Sequence, residues 1–270
     1  MAIEALVGKT VLVTGAGRGI GAALAVGFGA AGASVVCAAR TEHEIERVAH
    51  QILESGGDAI AVQTDVTNSG QVAELLEKTR CAYGGLDIVI ANAGGNFSEG
   101  VFEAGDLADW RKTFDVNFFG AADLARQAVP YLKARGGGKI LFTGSGLGHR
   151  GKAGFAVYGC SKAALWLLTQ ALAIELREFN IAVNELIPGP VNTGLAADST
   201  TLGYEPIKQR LVMEGSTAHP NAVSLPGYDS EWYHEWYKSP ADVIPLAMFV
   251  AGLPNYGPTA QSFSLMGRIG

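Results

Sequence analysis

Residues 10–21 read TVLVTGAGRGIG, an apolar strand pattern that leads through a glycine-rich turn into a helix. Thr10–Thr14 is rich in β-branched residues, and an apolar helical pattern follows over Ala22–Ala31. Strand, glycine-rich turn and helix in this order form a dinucleotide-binding unit, in which the pyrophosphate lies at the N-terminus of the helix. The flanking elements therefore favour a phosphate-binding turn over a glycine-rich loop that binds nothing.

The glycines of this turn have separate predicted uses. Gly15 suits the tight turn, and Gly17 and Gly19 leave room for the phosphates. Gly21 allows the helix to pack close to the sheet. The spacing Thr-Gly-x-x-x-Gly-x-Gly differs from the usual Gly-x-Gly-x-x-Gly fingerprint, although the order of elements is the same.

Strand and helix patterns alternate along the rest of the chain. The predicted strands are Thr10–Thr14, Ser34–Ala39, Ala59–Gln63, Ile88–Ala91, Lys139–Thr143, Ile181–Leu186 and Ser262–Leu265. The predicted helices are Gly19–Ala31, Thr41–Ser55, Ser69–Tyr83, Leu107–Arg135, Tyr158–Glu178 and Pro240–Leu253. Strands that are apolar on both faces are typical of parallel sheets. The sequence thus predicts an α/β fold, with one Rossmann-like doubly wound parallel sheet of about seven strands, helices on both faces, and a single domain over residues 1–270.

Leu195–Ser239 does not fit this alternation. It contains three prolines and little clear periodicity, and it is long for a connection in a compact domain. Trp232 and Trp236 are four residues apart, as are Tyr233 and Tyr237, so a helix here would have one aromatic face. We expect 195–239 to be a substrate-binding lid over a bulky apolar substrate, with packing against a neighbouring subunit as the alternative.

Tyr158, Lys162 and Ser145 form a chemically suggestive set. Helical i,i+4 spacing puts the phenol of Tyr158 and the ammonium of Lys162 on one face, and Ser145 follows a predicted strand. A free phenol has a pKa of about 10, and a neighbouring ammonium lowers that pKa toward the range useful for acid–base catalysis. The serine hydroxyl would hold a substrate oxygen. Taken alone, the spacing is equally that of an ordinary amphipathic helix.

Composition excludes several other classes of function. The 270 residues are 48% hydrophobic, enough for a large core, and the net charge of −6 without a basic cluster argues against nucleic acid. We expect no membrane span and no signal peptide. Cys37, Cys81 and Cys160 cannot all pair and lack the spacing of metal ligands, so we expect reduced thiols, a cytoplasmic location and no metal site.

Several motifs together resemble the short-chain dehydrogenase/reductase family over about residues 8–195. The motifs are Thr14–Gly21, Asp65-Val66, Asn92-Ala93-Gly94, Asn117, Ser145, Tyr158/Lys162 and 188–193 (Pro-Gly-Pro-Val-Asn-Thr). The resemblance implies Asn117, Ser145, Tyr158 and Lys162 as catalytic residues. It implies a cofactor site made by Gly15, Gly17, Arg18, Gly19, Ile20, Arg40, Asp65, Val66, Asn92, Ala93, Gly94, Tyr158, Lys162, Pro188, Gly189, Val191 and Thr193. One departure is Gly144 in Gly144-Ser145-Gly146, where the family often has a second serine.

The choice between NAD and NADP is predicted from the charged residues near the adenosine ribose. An acidic residue at the end of the second strand selects NAD, whereas arginine accommodates the 2′-phosphate of NADP. Here Ala39 is followed by Arg40, and Arg18 lies in the glycine-rich turn. We expect NADP(H), with NAD(H) as the alternative because relatives that use NAD also carry an arginine at the position of Arg18.

The implied activity is that of an alcohol dehydrogenase/carbonyl reductase. His149, Phe155, Trp232 and Trp236 are candidate substrate-binding residues, although a surface position is the simpler interpretation of His149. A non-catalytic NAD(P)-binding sensor, or an epimerase or dehydratase, is a competing class. Because the family pairs through its two long helices, and Ala163–Ala173 is apolar nearly all round, we expect a homotetramer or homodimer.

Overall fold

Seven parallel strands form one sheet in the computed structural model, which describes residues 6–193 and 238–266. The strands are β1 (Thr10–Thr14), β2 (Ser34–Ala39), β3 (Asp58–Gln63), β4 (Ile88–Ala91), β5 (Gly138–Thr143), β6 (Ile181–Ile187) and β7 (Ser262–Ser264). Their order is β3-β2-β1-β4-β5-β6-β7, and all pairings are parallel. The predicted fold class is confirmed, and each predicted strand differs by no more than one residue at either end.

Helices cover both faces of this sheet. They are α1 (Gly19–Ala30), α2 (Glu42–Glu54), α3 (Ser69–Tyr83), α4 (Leu107–Phe114), α5 (Ala121–Ala134), α6 (Ala156–Glu175) and α7 (Ile244–Gly252). One apolar core lies between the sheet and α1, α2 and α7, and a second lies between the sheet and α3, α5 and α6. Every residue of β1, β4, β5 and β6 is buried, which explains why these strands are apolar on both faces.

The predicted helix Leu107–Arg135 is wrong as a single α-helix. A π-helical segment, Asp115–Gly120, separates α4 from α5. A π-segment inserts one extra residue into the helical hydrogen-bond ladder, and such segments are frequent at functional sites. Helical periodicity continues through an inserted turn, so the sequence pattern alone does not show the break.

The strand order reverses at β1, which lies between β2 and β4. In doubly wound sheets, the chain leaves two neighbouring strands at such a reversal toward opposite faces of the sheet. This leaves a crevice at the carboxyl ends of those strands. The glycine-rich turn follows β1 directly, so the fold places it in this crevice.

Helix α6 is long and apolar enough, by length and composition, to cross a membrane, contrary to our expectation from the sequence. This is weak support for a span, because core helices of soluble proteins have the same character. Here Leu165 and Ala173 pack into the core beside β6, and Lys162 is buried on the same helix. Core packing therefore accounts for the buried side of α6, while Leu167 and Ile174 on its other side are exposed.

The backbone on either side of residues 194–237 meets at one place. Val191 pairs with Lys238 in an isolated parallel bridge. The N–H of Lys238 donates to the carbonyl of Pro190 (3.0 Å), and the N–H of Asn192 donates to the carbonyl of Lys238 (2.9 Å). The predicted lid and its tryptophans, Trp232 and Trp236, lie outside the described residues.

Candidate active site

The glycine-rich turn brings β1 and α1 into close contact. Gly15 has a φ of +65°, a conformation that glycine adopts without strain. A Cβ on Gly21 would overlap the carbonyl oxygen of Gly15, so any larger residue would push α1 away from the turn. Arg18 precedes α1 and its side chain does not cap the helix. The first N–H groups of α1 therefore have no side-chain cap from this position, which suits an anion at the helix N-terminus.

A cleft of about 480 Å³ runs from this turn along the carboxyl ends of the strands. Its volume is within the usual range for small-molecule sites. All seventeen residues that we predicted to bind the cofactor line it, together with Ser145. Residues that the sequence did not indicate also line it: Ala39, Thr41, Glu44, Thr64, Gly95, Phe97, Val116, Thr143 and Gly144. The fold thus gathers residues from the whole chain into one elongated site.

Asn92 braces the centre of the cleft. Its Nδ2 donates to the carbonyl of Thr14 (3.0 Å), and its backbone N–H donates to the hydroxyl of Thr14 (3.1 Å). On the other side, the hydroxyl of Thr143 donates to its Oδ1 (3.3 Å). Asn92 thereby ties together the ends of β1, β4 and β5, as expected for a structural role.

The side chain of Asp65 is partly engaged within its own loop. Its Oδ1 accepts from the N–H of Thr67 (2.9 Å) and from the hydroxyl of Thr67 (2.8 Å). The backbone N–H of Asp65 donates to Oε1 of Gln71 (2.7 Å). These bonds fix the carboxylate in the lining of the cleft that was predicted to bind the cofactor.

The turn also has two partners that sequence reasoning missed. Arg47 Nη2 donates to the carbonyl of Gly17 (3.1 Å), and the side chain of Glu44 packs against Gly17. Both residues come from α2, one turn apart. The only indication of these two partners in the sequence is the spacing of Glu44 and Arg47, three residues apart in a predicted helix, which places both on one face of that helix.

Asn117 lies within the π-segment and is fully buried. Its Oδ1 accepts from the N–H of Gly95 (2.8 Å), and its Nδ2 donates to the carbonyl of Gly95 (2.9 Å) and to the hydroxyl of Ser161 (3.0 Å). The π-helical distortion therefore lies at this residue. One amide therefore connects the loop after β4 to helix α6, which carries Tyr158 and Lys162.

Tyr158 and Ser145 both line the cleft, close enough for the Ser145 hydroxyl to act on the phenol. Ser145 Oγ accepts from the N–H of Leu147 (3.2 Å), which holds the hydroxyl at the mouth of the turn after β5. Burial raises the pKa of Tyr158, and the hydroxyl of Ser145 opposes that rise only in part. The expected net fall of this pKa is therefore wrong, because desolvation of the phenol outweighs the effect of its charged and polar neighbours.

Lys162 is 4% exposed and makes a different contact from the predicted one. Its Nζ donates to the carbonyl of Thr143 (2.8 Å) and lies 5.9 Å from the centroid of the Tyr158 ring. Burial lowers the pKa of Lys162 to about 8, while the negative charge of Glu185 acts in the opposite direction. The ammonium is thus close to the phenol but is held by the end of β5.

The two predicted substrate-binding residues within the described ranges, His149 and Phe155, make contacts outside the cleft. His149 Nε2 lies 2.8 Å from Oε2 of Glu185, and its ring contacts Trp166 edge-on at 5.1 Å between centroids. Phe155 packs under the ammonium of Lys152, 4.7 Å from the ring centroid. Neither His149 nor Phe155 is among the described residues that line the cleft. Their role in substrate binding stays a prediction.

Known proteins with similar sequences are oxidoreductases. A family model described as short chain dehydrogenase matches residues 9–201. The chain is 33% identical to the cis-4-hydroxycyclohexanecarboxylate dehydrogenase of Sinomonas cyclohexanicum, over 82% of this chain and 88% of that protein. It is 40% identical to versicolorin reductase 1 of Aspergillus parasiticus, over 70% of this chain and 71% of the relative.

A solved structure shares the fold. It is a short chain dehydrogenase from Burkholderia cenocepacia in complex with NADP, with a TM-score of 0.78 and 33% identity, covering 96% of each chain. Sequence and structure thus lead to the same group of proteins.

Proposed function

The chain belongs to the short chain dehydrogenase family, and on that premise we propose that it is an NADP(H)-dependent oxidoreductase that interconverts a secondary alcohol and a ketone. The observation that carries this proposal is that Ser145, Tyr158 and Lys162 line one cleft, with Lys162 Nζ 5.9 Å from the centroid of the Tyr158 ring. We propose that the substrate is bulky and apolar or aromatic, because the predicted lid over 195–239 is rich in aromatic residues.

The residues of the cleft fit a dinucleotide. The turn at Gly15 has no side chain, the N-terminus of α1 points into the cleft, and Lys162 and Tyr158 lie at the far end of it. The nicotinamide, when bound, supplies or accepts the hydride. Pro188, Gly189, Val191 and Thr193 would enclose its ring from the side of β6.

The protein's own part in the reaction is to move a proton and to hold an oxygen. In the direction of reduction, the hydroxyl of Tyr158 donates its proton to the carbonyl oxygen as that oxygen becomes negative. The hydroxyl of Ser145 donates a hydrogen bond to the same oxygen. Lys162 would bind a ribose hydroxyl of the cofactor, and its positive charge would stabilise the phenolate that Tyr158 leaves behind. Asn117 keeps α6 in register with the loop after β4.

A panel of ketones and alcohols tests this activity. We expect turnover of bulky secondary alcohols or ketones, followed by the absorbance of reduced nicotinamide, with NADP(H) preferred over NAD(H). Arg18 and Arg40 are exposed at the rim of the cleft and support this preference, since a charge-assisted contact to a phosphate contributes roughly 1.5–3 kcal/mol, or more than tenfold in affinity.

Titration of the protein with NADP(H) and with NAD(H) shows which of the two cofactors it prefers. Arg40→Ala should weaken NADP(H) about tenfold and leave NAD(H) almost unchanged, because only the former has a 2′-phosphate. Glu44 favours the NAD-dependent alternative, since its carboxyl group lies beside Gly17 and could accept from a ribose hydroxyl. Equal or tighter binding of NAD(H) by the unmodified protein would refute the NADP(H) assignment.

We also propose a homotetramer or homodimer in the cytoplasm. Leu167 is 62% exposed and Ile174 is 78% exposed on the outer face of α6, two turns apart, and Phe119 is 59% exposed at the end of the π-segment. Exposed apolar groups along one face are typical of an interface. The free thiols of Cys37, Cys81 and Cys160 support a reducing location.

Light scattering tests the assembly. We expect a mass of two or four chains at micromolar concentration, and a shift toward the monomer in a Leu167→Glu, Ile174→Glu variant, because charged groups would then be buried at the interface. A monomeric unmodified protein would overturn the proposal.

A further inference from the structure

Glu185 is a buried acidic residue that the proposed reaction does not use. It lies in β6 and is 1% exposed. Its Oε2 accepts from the hydroxyl of Ser262 in β7 (2.5 Å) and contacts Nε2 of His149 (2.8 Å). Its Oε1 is buried without a hydrogen-bond partner among the described residues. A buried carboxyl group with an unsatisfied oxygen lowers stability compared with an apolar side chain of similar size, so stability alone is a poor reason for its presence.

The side chain of Glu185 takes the space that a side chain at residue 144 would need. A Cβ on Gly144 would overlap Oε1 and would lie 2.5 Å from Cγ of Glu185. The absence of a side chain at Gly144 is the departure from the family pattern seen in the sequence. The structure gives its physical reason, because a serine at residue 144 and the carboxyl group of Glu185 cannot occupy the same place.

The turn that carries Ser145 comprises residues 144–149, with Gly144 at its start and His149 at its end. The carboxyl group of Glu185 packs on the residue before Ser145 and binds the ring of His149, four residues after it. Between them, Gly148 lies against the backbone of Lys162, where a Cβ would come within 2.8 Å of the Lys162 carbonyl carbon. Glu185 therefore contacts both ends of the turn, and the middle of the turn packs on α6.

Glu185 also acts on Lys162 through its charge. Its negative charge favours the protonated form of Lys162, against the effect of burial. Among the described residues, His149 from the turn contacts Glu185 and Lys162 on α6 feels its charge, while Gly144 and Ser262 carry no charge.

We propose that Glu185 is a positioning residue for the reaction, which holds the turn of Ser145 between residue 144 and His149. This inference rests on the proposed function, since it assigns Ser145 and Lys162 to the chemistry. It also assigns His149 to the support of this turn.

Reciprocal substitution at residues 144 and 185 tests the packing. Gly144→Ser should lower kcat at least about tenfold and lower the melting temperature, because the serine displaces the carboxyl group and with it the turn. Glu185→Ala alone should also lower kcat, since the turn loses its support. The double variant should regain most of the kcat and melting temperature lost in Gly144→Ser, because the serine then has room.

Asn184→Ala is the matched control. Asn184 is buried in the same strand, but its amide binds the carbonyl of Pro258 and the N–H of Gln261 rather than the turn. It should lower the melting temperature without rescuing Gly144→Ser. If the losses of Gly144→Ser and Glu185→Ala in kcat simply add in the double variant, Glu185 does not position the turn and the inference is wrong.

The charge is tested with Glu185→Gln, which keeps the size of the side chain. Removing the negative charge should lower the pKa of Lys162 further, so the fall of kcat and of NADPH affinity at alkaline pH should begin at a lower pH than in the unmodified protein. Unchanged profiles would overturn the electrostatic part of the inference. NADPH affinity is measured by cofactor fluorescence and needs no substrate. Cofactor binding that shifts in this way without turnover by the unmodified protein would refute the proposed function but not the action of the Glu185 charge on Lys162.

Discussion

Replacing Tyr158 with phenylalanine is expected to abolish turnover while leaving the affinity for the cofactor nearly unchanged. The substitution removes one oxygen, and with it the proton that the substrate oxygen receives and the interaction with the Ser145 hydroxyl. Loss of a general acid typically slows a reaction by about 10²–10⁴-fold. Steady-state kinetics with the best substrate of the panel, together with a fluorescence titration of NADPH, measure the two effects separately.

Lys162→Ala serves as the comparison for the tyrosine variant. It should weaken cofactor binding as well as turnover, because Lys162 is buried at the end of the cleft, where it would bind the ribose and stabilise the phenolate. A Tyr158→Phe protein that keeps more than about a tenth of the unmodified activity would contradict the proposed mechanism, given the usual effect of removing a general acid.

Asn117→Ala should damage both the fold and the reaction. The amide of Asn117 satisfies both backbone groups of Gly95 and contacts the hydroxyl of Ser161, all at a fully buried position. Each buried polar group left without a partner costs about 1–3 kcal/mol, so the free energy of unfolding should fall by roughly 2–5 kcal/mol. Since α6 loses its link to the loop after β4, kcat should fall as well.

Urea unfolding and kcat of the purified variant check this expectation. Asn68→Ala is a suitable control, because Asn68 caps α3 through the N–H groups of Gly70 and Gln71 at an exposed site far from the chemistry. That variant should lose only about 1 kcal/mol of stability and no activity. An Asn117→Ala protein with unchanged kcat would show that the π-segment has no part in catalysis.

The fold was predictable because its signals are local. Seven apolar runs and the turn that follows β1 specify a parallel sheet, and the order of the motifs then places the cleft. Every residue predicted to bind the cofactor lines this cleft, since the carboxyl ends of parallel strands meet at one edge. Their functions remain proposals, but their position follows from the topology.

What the sequence did not indicate depends on contacts between distant residues. The contact of His149 with Glu185 joins residues 36 apart, and the substitution of glycine at residue 144 has meaning only once Glu185 is placed beside it. The pKa of Tyr158 was misjudged for the same reason, because the sequence shows the neighbouring lysine but not the burial of the phenol. The break at Asp115–Gly120 preserves the apolar pattern and therefore leaves no trace in it.

The bridge between Val191 and Lys238 has a consequence for how this protein can change. Backbone hydrogen bonds hold the two flanks of residues 194–237 side by side. In general, doubling the length of a flexible connection costs only about 0.6 kcal/mol. The bridge therefore tolerates insertions and deletions between Val191 and Lys238, so the number of residues there can change in evolution while both flanks keep their places.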